Sequence, residues 1–242
     1  MPKAALPFGD SSILERLIDT LTTGFAEIVV VAAPISDEPF SIDRVLQHRA
    51  GLKAELADAV SESGDIVRSG TLENLKQRTN LIIERDDAAF EGPVGALRRG
   101  LVRVSSEIAF ACSCDLPLLR SDLAIALCAM LDGQSTAIEA TGHDATNLAN
   151  SFEAAIPQIE GFPQPLCAAY RREPAIAALL AMEAADERRL TAIGDRLKVN
   201  VVDEVALREI DPDLRSFLNV NTAEDYARAL RLVRAALTHA ST

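Results

Sequence analysis

In ACSCDLPLL (111–119) an apolar run breaks off at Asp115, with a proline two residues on. A carboxylate at the end of a buried strand can cap whatever follows or grip a hard metal ion. Two further stretches have comparable punctuation. RDDAAFEGPVGAL (85–97) puts Asp86 and Asp87 ahead of Gly92-Pro93, and FLNVNTAEDY (217–226) puts Asn219, Asn221 and Thr222 ahead of a helix. Taken alone, each has a plain structural reading: turn formers, a helix start, a helix cap. All three fall at predicted strand ends, and in an open parallel sheet ligands gather outside the carboxyl ends of the strands. Together they read as parts of one site.

The elements that must position them follow from periodicity. SSILERLIDTLTTG (11–24) opens with a capping box, Ser12 answered by Glu15, and carries an apolar stripe of Ile13, Leu14, Leu17, Ile18 and Leu21, which predicts an amphipathic helix. EIVVVAAP (27–34), NLIIE (80–84), EIAFACSC (107–114), STAIEA (135–140) and KVNVVDEV (199–205 and its edges) read as strands. Helices are expected over 41–60, 71–79, 92–104, 121–131, 173–185 and 188–197, with a last one begun at Thr222. TGHDATNLAN (141–150) reads as a loop and FPQPLCAAYR (162–171) as extended chain. Strands alternating with helices mean an α/β fold with a mostly parallel sheet. We read residues 1–242 as a single domain with a helical insertion at about 37–79.

With 242 residues, 48% of them hydrophobic, the chain can bury a sizeable core. Its net charge of −12 argues against general nucleic-acid binding, which needs a basic face. A small phosphorylated ligand needs only a few cations and backbone N–H groups, so it is not excluded. Cys112, Cys114, Cys128 and Cys167 form no C-x-x-C pair and sit among apolar neighbours, which predicts free thiols in a reducing cytoplasm. His48, His143 and His239 lack ligand spacing and read as surface residues. MPKAALPFGD has no apolar core of a signal peptide, and the run at 28–35 is too short to span a bilayer.

In order and in wording, KAALPFGDSSILERLI, ERDDAAFEGPVGALRRGL, AFACSCDLPLL, QPLCAAYRR and FLNVNTAEDY resemble the molybdenum cofactor guanylyltransferases, MobA-like nucleotidyltransferases. The resemblance covers most of the chain outside 37–79. It implies a Rossmann-like three-layer sandwich of the nucleotidyltransferase type. It also implies transfer of GMP from GTP to the phosphate of molybdopterin, or the molybdenum cofactor, with Mg²⁺ as cofactor. By the same resemblance, Asp115 matches the aspartate of the D-x-P turn that holds Mg²⁺ against the triphosphate. Lys3 matches the phosphate-contacting lysine that follows the Gly-rich loop, and Asp86 (or Asp87) the acidic residue near the nucleotide. Asn219 and Asn221 match the N-x-N-T asparagines near the pterin and the metal. Gln164, with Pro165 and Leu166, resembles the segment lining the acceptor side. Molybdoenzymes that receive the cofactor are implied as further partners.

The sequence also departs from the family. The loop L-A-G-G-x-S-x-R-M-G and the buried strand before it, expected just ahead of the lysine matched by Lys3, do not appear. The reading is therefore of a sheet lacking its first strand and of a phosphate site short of backbone donors and an arginine. Pro2-Lys3 resembles the cytidylyl branch, with CTP as donor, whereas Gly92-Pro93-Val94-Gly95 and NVNT resemble the guanylyl branch. A non-catalytic partner that carries the pterin cofactor is the alternative from another class.

Overall fold

The computed structural model describes residues 3–32, 79–85, 92–132 and 152–240, with side chains in the last helix described to residue 235. The predicted helix starts from its capping box. The Ser12 backbone N–H donates to the Glu15 carboxylate at 2.7 Å, and Glu15 N–H donates to Ser12 Oγ at 3.2 Å. Such a cap contributes about 1 kcal/mol. Helix α1 (Ile13–Leu21) buries Ile13 and Leu17 in the main core, and Leu14 and Ile18 against Ala4 and Ile28. Ahead of it, a 3₁₀ turn (Lys3–Ala5) leads to the two-residue strands β1 (Pro7–Phe8) and β2 (Ser11–Ser12), paired antiparallel.

Strands β3 (Glu27–Ala32) and β4 (Asn80–Arg85) pair parallel, from Glu27↔Asn80 to Ala32↔Arg85. The larger sheet contains β5 (Ile108–Cys112), β6 (Ala154–Ile159), β7 (Phe162–Pro163), β8 (Cys167–Arg171) and β9 (Val199–Val202). Its order is β5-β8-β6-β9, with β7 beside the end of β6. β8 is antiparallel to both β5 and β6, while β9 is parallel to β6, so β5, β6 and β9 all point one way. The sheet that the alternation reads as mostly parallel thus contains two reversed strands, the short β7 and β8. The reversal is made at Glu160-Gly161, both in the left-handed region (φ 50° and 80°), a two-residue hairpin loop that suits the strand twist. Among the described residues, β3 pairs only with β4 and β5 only with β8, so each has one edge without a strand partner.

Helices cover both faces of this sheet. Period-two alternation along β8 sends Cys167 and Ala169 to one side, with α3 (Ser121–Asp132) and its Leu123, Leu127 and Leu131. Ala168 and Tyr170 face the other side, with Val94, Leu97 and Leu101 of α2 (Gly92–Arg103) and Leu179 of α4 (Arg172–Ala184). Alanines at 154, 155, 168 and 169 keep both surfaces of the sheet flat, so the bulk of the core comes from the helices.

Several elements depart from the sequence reading. β6 was not predicted, because AAIPQI carries Pro157, which demotes a run to an edge; here the proline's carbonyl still accepts Gln164 N–H at 2.8 Å. The strand predicted over 199–205 stops at Val202, because Asp203 caps α5 (Glu204–Ile210) by accepting Ala206 N–H at 3.0 Å. The predicted helix over 188–197 is a 3₁₀ segment, Leu190–Asp195, and the last helix, α6, spans Ala223–Ala240. The helices expected over 41–60 and 71–79, apart from the non-helical Thr79, and with them nearly all of the insertion, lie outside the described residues, as do the 135–140 strand and the 141–150 loop.

Candidate active site

Asp115 lies three residues beyond the carboxyl end of β5, in a turn fixed from several directions. Ser113 N–H donates to Leu166 O at 2.9 Å, and Val220 N–H donates to Asp115 O at 2.9 Å. Arg16 Nε donates to Pro117 O at 2.8 Å, and Arg120 N–H donates to Ser216 Oγ at 3.1 Å. Ser216 is fixed in turn by donating its N–H to the buried Asp211 carboxylate at 2.7 Å. Among the described residues the Asp115 side chain caps no helix. Helix α3 begins six residues later, where Asp122 accepts Leu123 N–H at 2.9 Å. Asp115 Oδ1 is buried and has no hydrogen-bond partner among the described residues.

A cleft of about 410 Å³ opens beside this turn, lined by Asp115, Gln164, Asn219, Arg188, Arg189 and Thr191 among others. Gln164 stands in the bulge between β7 and β8, where its N–H and carbonyl bond Pro157 O and Cys167 N–H. Behind it, the fully buried Tyr170 donates its hydroxyl to Pro165 O at 2.7 Å. Burial pushes the Tyr170 phenol well up, so it remains a donor. Tyr170→Phe should cost about 1–3 kcal/mol by leaving Pro165 O unpaired, roughly 2–4 °C per kcal/mol in melting temperature. A calorimetric scan of the variant checks this.

Lys3 and Asn221 meet although they are 218 positions apart: Lys3 Nζ donates to Asn221 Oδ1 at 2.6 Å. Asn221 sits where α6 begins, in a reciprocal cap. Asp225 accepts the N–H groups of Asn221 and Thr222 at 3.1 and 2.8 Å, and its own N–H donates to Thr222 Oγ1 at 3.1 Å. Those bonds hold the Asp225 carboxyl below the usual carboxylate range, with the side-chain bond from Thr222 the largest cause.

The structure therefore brings Asp115, Asn219 and Gln164 to one cleft and joins Lys3 to Asn221. Asp86 and Asp87 lie outside the described residues. Gly92 starts α2 at φ 85°, a backbone that favours glycine, and Pro93 next to it reaches the cleft wall. The sequence reading missed Arg188 and Arg189, which line the cleft with side chains 82% and 81% exposed. Their pairs with Asp186 and Glu187 are solvent-exposed ion pairs, which water and salt screen. Only the doublet in ADERRL could have signalled them.

All four cysteines are free. Burial pushes the Cys112 thiol up to about 12 and that of Cys167 well above its ordinary value. Desolvation and the adjacent Asp115 carboxylate also raise Cys114, with Lys3 offsetting part of the rise. These thiols stay protonated near neutrality and are not nucleophiles. Among the described residues no group of three or more His, Cys, Asp or Glu side chains could hold a metal ion. A single oxygen donor with an unpaired buried oxygen suits magnesium, which takes one or two carboxylates and fills its shell with water and phosphate oxygens. It does not suit zinc or another metal that needs several protein ligands.

An α/β fold whose strand-end cleft combines a bare carboxylate with cationic side chains defines a nucleotidyltransferase-type protein. The family model of the MobA-like NTP transferase domain matches residues 1–200, and the chain belongs to that family. It is 27% identical over 225 residues to a probable molybdenum cofactor guanylyltransferase of Methanosarcina acetivorans, covering 92% of this chain and 80% of that protein. It is 26% identical over 162 residues to the molybdenum cofactor guanylyltransferase of Desulfosudis oleivorans, covering 64% and 68%. The fold is shared with molybdopterin-guanine dinucleotide biosynthesis protein A from Archaeoglobus fulgidus: TM-score 0.59, 16% identity, 97% of this chain and 92% of that one. It is also shared with 2-C-methyl-D-erythritol 4-phosphate cytidylyltransferase from Thermus thermophilus: TM-score 0.53, 14% identity, 96% and 94%. Among the described residues no helix is long and apolar enough to cross a membrane.

Proposed function

We infer that this nucleotidyltransferase moves GMP from GTP to the terminal phosphate of molybdopterin or the molybdenum cofactor. The observation that carries the reading is Asp115, which lines the strand-end cleft and whose buried Oδ1 has no hydrogen-bond partner among the described residues. The names of the curated relatives support guanine as the base and the pterin as acceptor. A phosphate oxygen of the acceptor attacks the α-phosphorus of GTP, the bond to the β-phosphate breaks, and pyrophosphate leaves. Asp115 would hold Mg²⁺, whose charge neutralises phosphate oxygens. The protein's own task is placement and charge complementarity. Lys3 binds the donor phosphates, while Gln164, Asn219 and Asn221 orient the acceptor. Arg188 and Arg189 offer their guanidinium groups to anionic oxygens in the cleft.

The test is pyrophosphate release with molybdopterin, Mg²⁺ and either GTP or CTP. Release with GTP at least about tenfold faster than with CTP is expected, a difference of roughly 1.4 kcal/mol in transition-state binding. Faster release with CTP makes the chain a cytidylyltransferase. Pterin binding without release from either nucleotide makes it a cofactor carrier.

A further inference from the structure

Among the described residues, the Asp115 turn has one external support from a charged side chain, and that side chain belongs to a helix remote in sequence. Arg16 on α1 reaches across 101 positions to donate Nε–H to Pro117 O at 2.8 Å. The turn's internal bond, Leu119 N–H to Leu116 O at 3.2 Å, leaves the Pro117 carbonyl to be satisfied from outside. Arg16 is half-buried, and its guanidinium carbon lies 5.6 Å from the centroid of the buried Phe8 ring. Phe8 meets Tyr226 edge-on at 6.2 Å, and the Tyr226 hydroxyl donates to Pro7 O. Arg16, Phe8 and Tyr226 thus join the Asp115 turn to the segment carrying Lys3 and to the helix that follows Asn221.

We propose that Arg16 is a positioning residue for the transfer reaction: by holding the Pro117 carbonyl it fixes the backbone of the turn that places the Asp115 carboxylate in the cleft wall. This rests on the reading of Asp115 as the cation-holding carboxylate. Arg16 touches neither nucleotide nor acceptor; it acts through the backbone of the turn. Val220 N–H, bonded to Asp115 O, is a built-in reporter of that backbone. Replacing Arg16 with methionine keeps a stem against Phe8 and removes the donor. Lysine keeps the charge and one flexible donor but not the planar Nε–H.

The experiment is amide hydrogen exchange on the whole chain, with Leu127 of α3 and Ala178 of α4 as internal references. Arg16→Met should speed exchange at Val220 about tenfold or more while the references stay unchanged, and Arg16→Lys should speed it about threefold. Equal acceleration at all three positions would show a merely structural role and overturn the proposal, as would no change at Val220. If Arg16→Met does not fold, the lysine variant decides by the same criterion. In parallel, Mn²⁺ binding in the presence of GTP is measured for Arg16→Met, Arg16→Lys and Asp115→Asn. A roughly tenfold weaker Mn²⁺ affinity in Arg16→Met, largely restored by lysine, is expected. Unaltered affinity in Arg16→Met beside lost affinity in Asp115→Asn overturns the inference. Unaltered affinity in Asp115→Asn overturns the metal reading itself, and the exchange data still decide whether Arg16 positions the turn.

Discussion

Asp115→Asn is expected to lower nucleotidyl transfer on the order of 10²–10³-fold while leaving the melting temperature within about 2–4 °C of the parent. The two halves of that expectation have the same origin. Asp115 Oδ1 accepts no hydrogen bond among the described residues, so the folded state loses none when the carboxylate becomes an amide. A neutral amide is also cheaper to bury than a carboxylate, and the stability change should be near zero or favourable. The turn survives because it is held through backbone groups and through Arg16, not through the Asp115 side chain. What is lost is charge. An amide oxygen is a poor substitute for a carboxylate toward a divalent ion whose remaining ligands are phosphate oxygens and water. The measurement is turnover across a Mg²⁺ series beside a thermal scan. Parent-like turnover at ordinary Mg²⁺ would return Asp115 to a purely architectural role.

How much of this was legible in the sequence depends on the range of the interactions. α1 was readable because its cap, Ser12 with Glu15, and its stripe lie within ten residues of each other. β3 and β4 were readable from their β-branched runs, and α2 from Gly92-Pro93. β6 was not, since its alanines and Pro157 carry no strand signal; it exists because β8 and β9 lie on either side of it. α5 was hidden inside an apolar run, and only its capping by Asp203 separates it from β9. The site divides the same way. Asp115 announces itself as a polar letter at a strand end, whereas Asn219 and Asn221 follow a 3₁₀ turn (Arg215–Phe217) and not the strand end the sequence reading expects; the structure still puts Asp115 and Asn219 in one cleft. Arg16 looks like any solvent-facing arginine of an amphipathic helix until the fold brings it to Pro117. Arg188 and Arg189 look like surface charge until the segment after α4 folds back over the cleft. Whether Asp115 caps a helix needed coordinates, because it turns on whether a neighbouring N–H reaches the carboxylate, and among the described residues none does.

The second large effect is expected at the junction of the chain's two ends. Lys3→Met should reduce kcat/KM for GTP by roughly 10–100-fold, since a charge-assisted hydrogen bond contributes about 1.5–3 kcal/mol and each 1.4 kcal/mol is tenfold. Asn221→Ala should cost less, about tenfold, since it removes the neutral partner that holds the Lys3 ammonium at 2.6 Å but leaves the charge itself. The cap that starts α6 uses the backbone N–H of Asn221 together with Thr222 and Asp225, so removing the Asn221 amide leaves the helix start intact. If the two side chains act as one unit, the double variant should be little worse than Lys3→Met alone, with a coupling of about 1 kcal/mol or more. Additive losses would mean that Lys3 and Asn221 serve donor and acceptor separately and that their hydrogen bond has no part in the reaction. A Lys3→Met variant with unchanged kcat/KM would remove Lys3 from the phosphate site. A distance of 2.6 Å between an ammonium and an amide oxygen is short enough to be favourable in either case, so only the non-additivity separates a shared role from mere proximity.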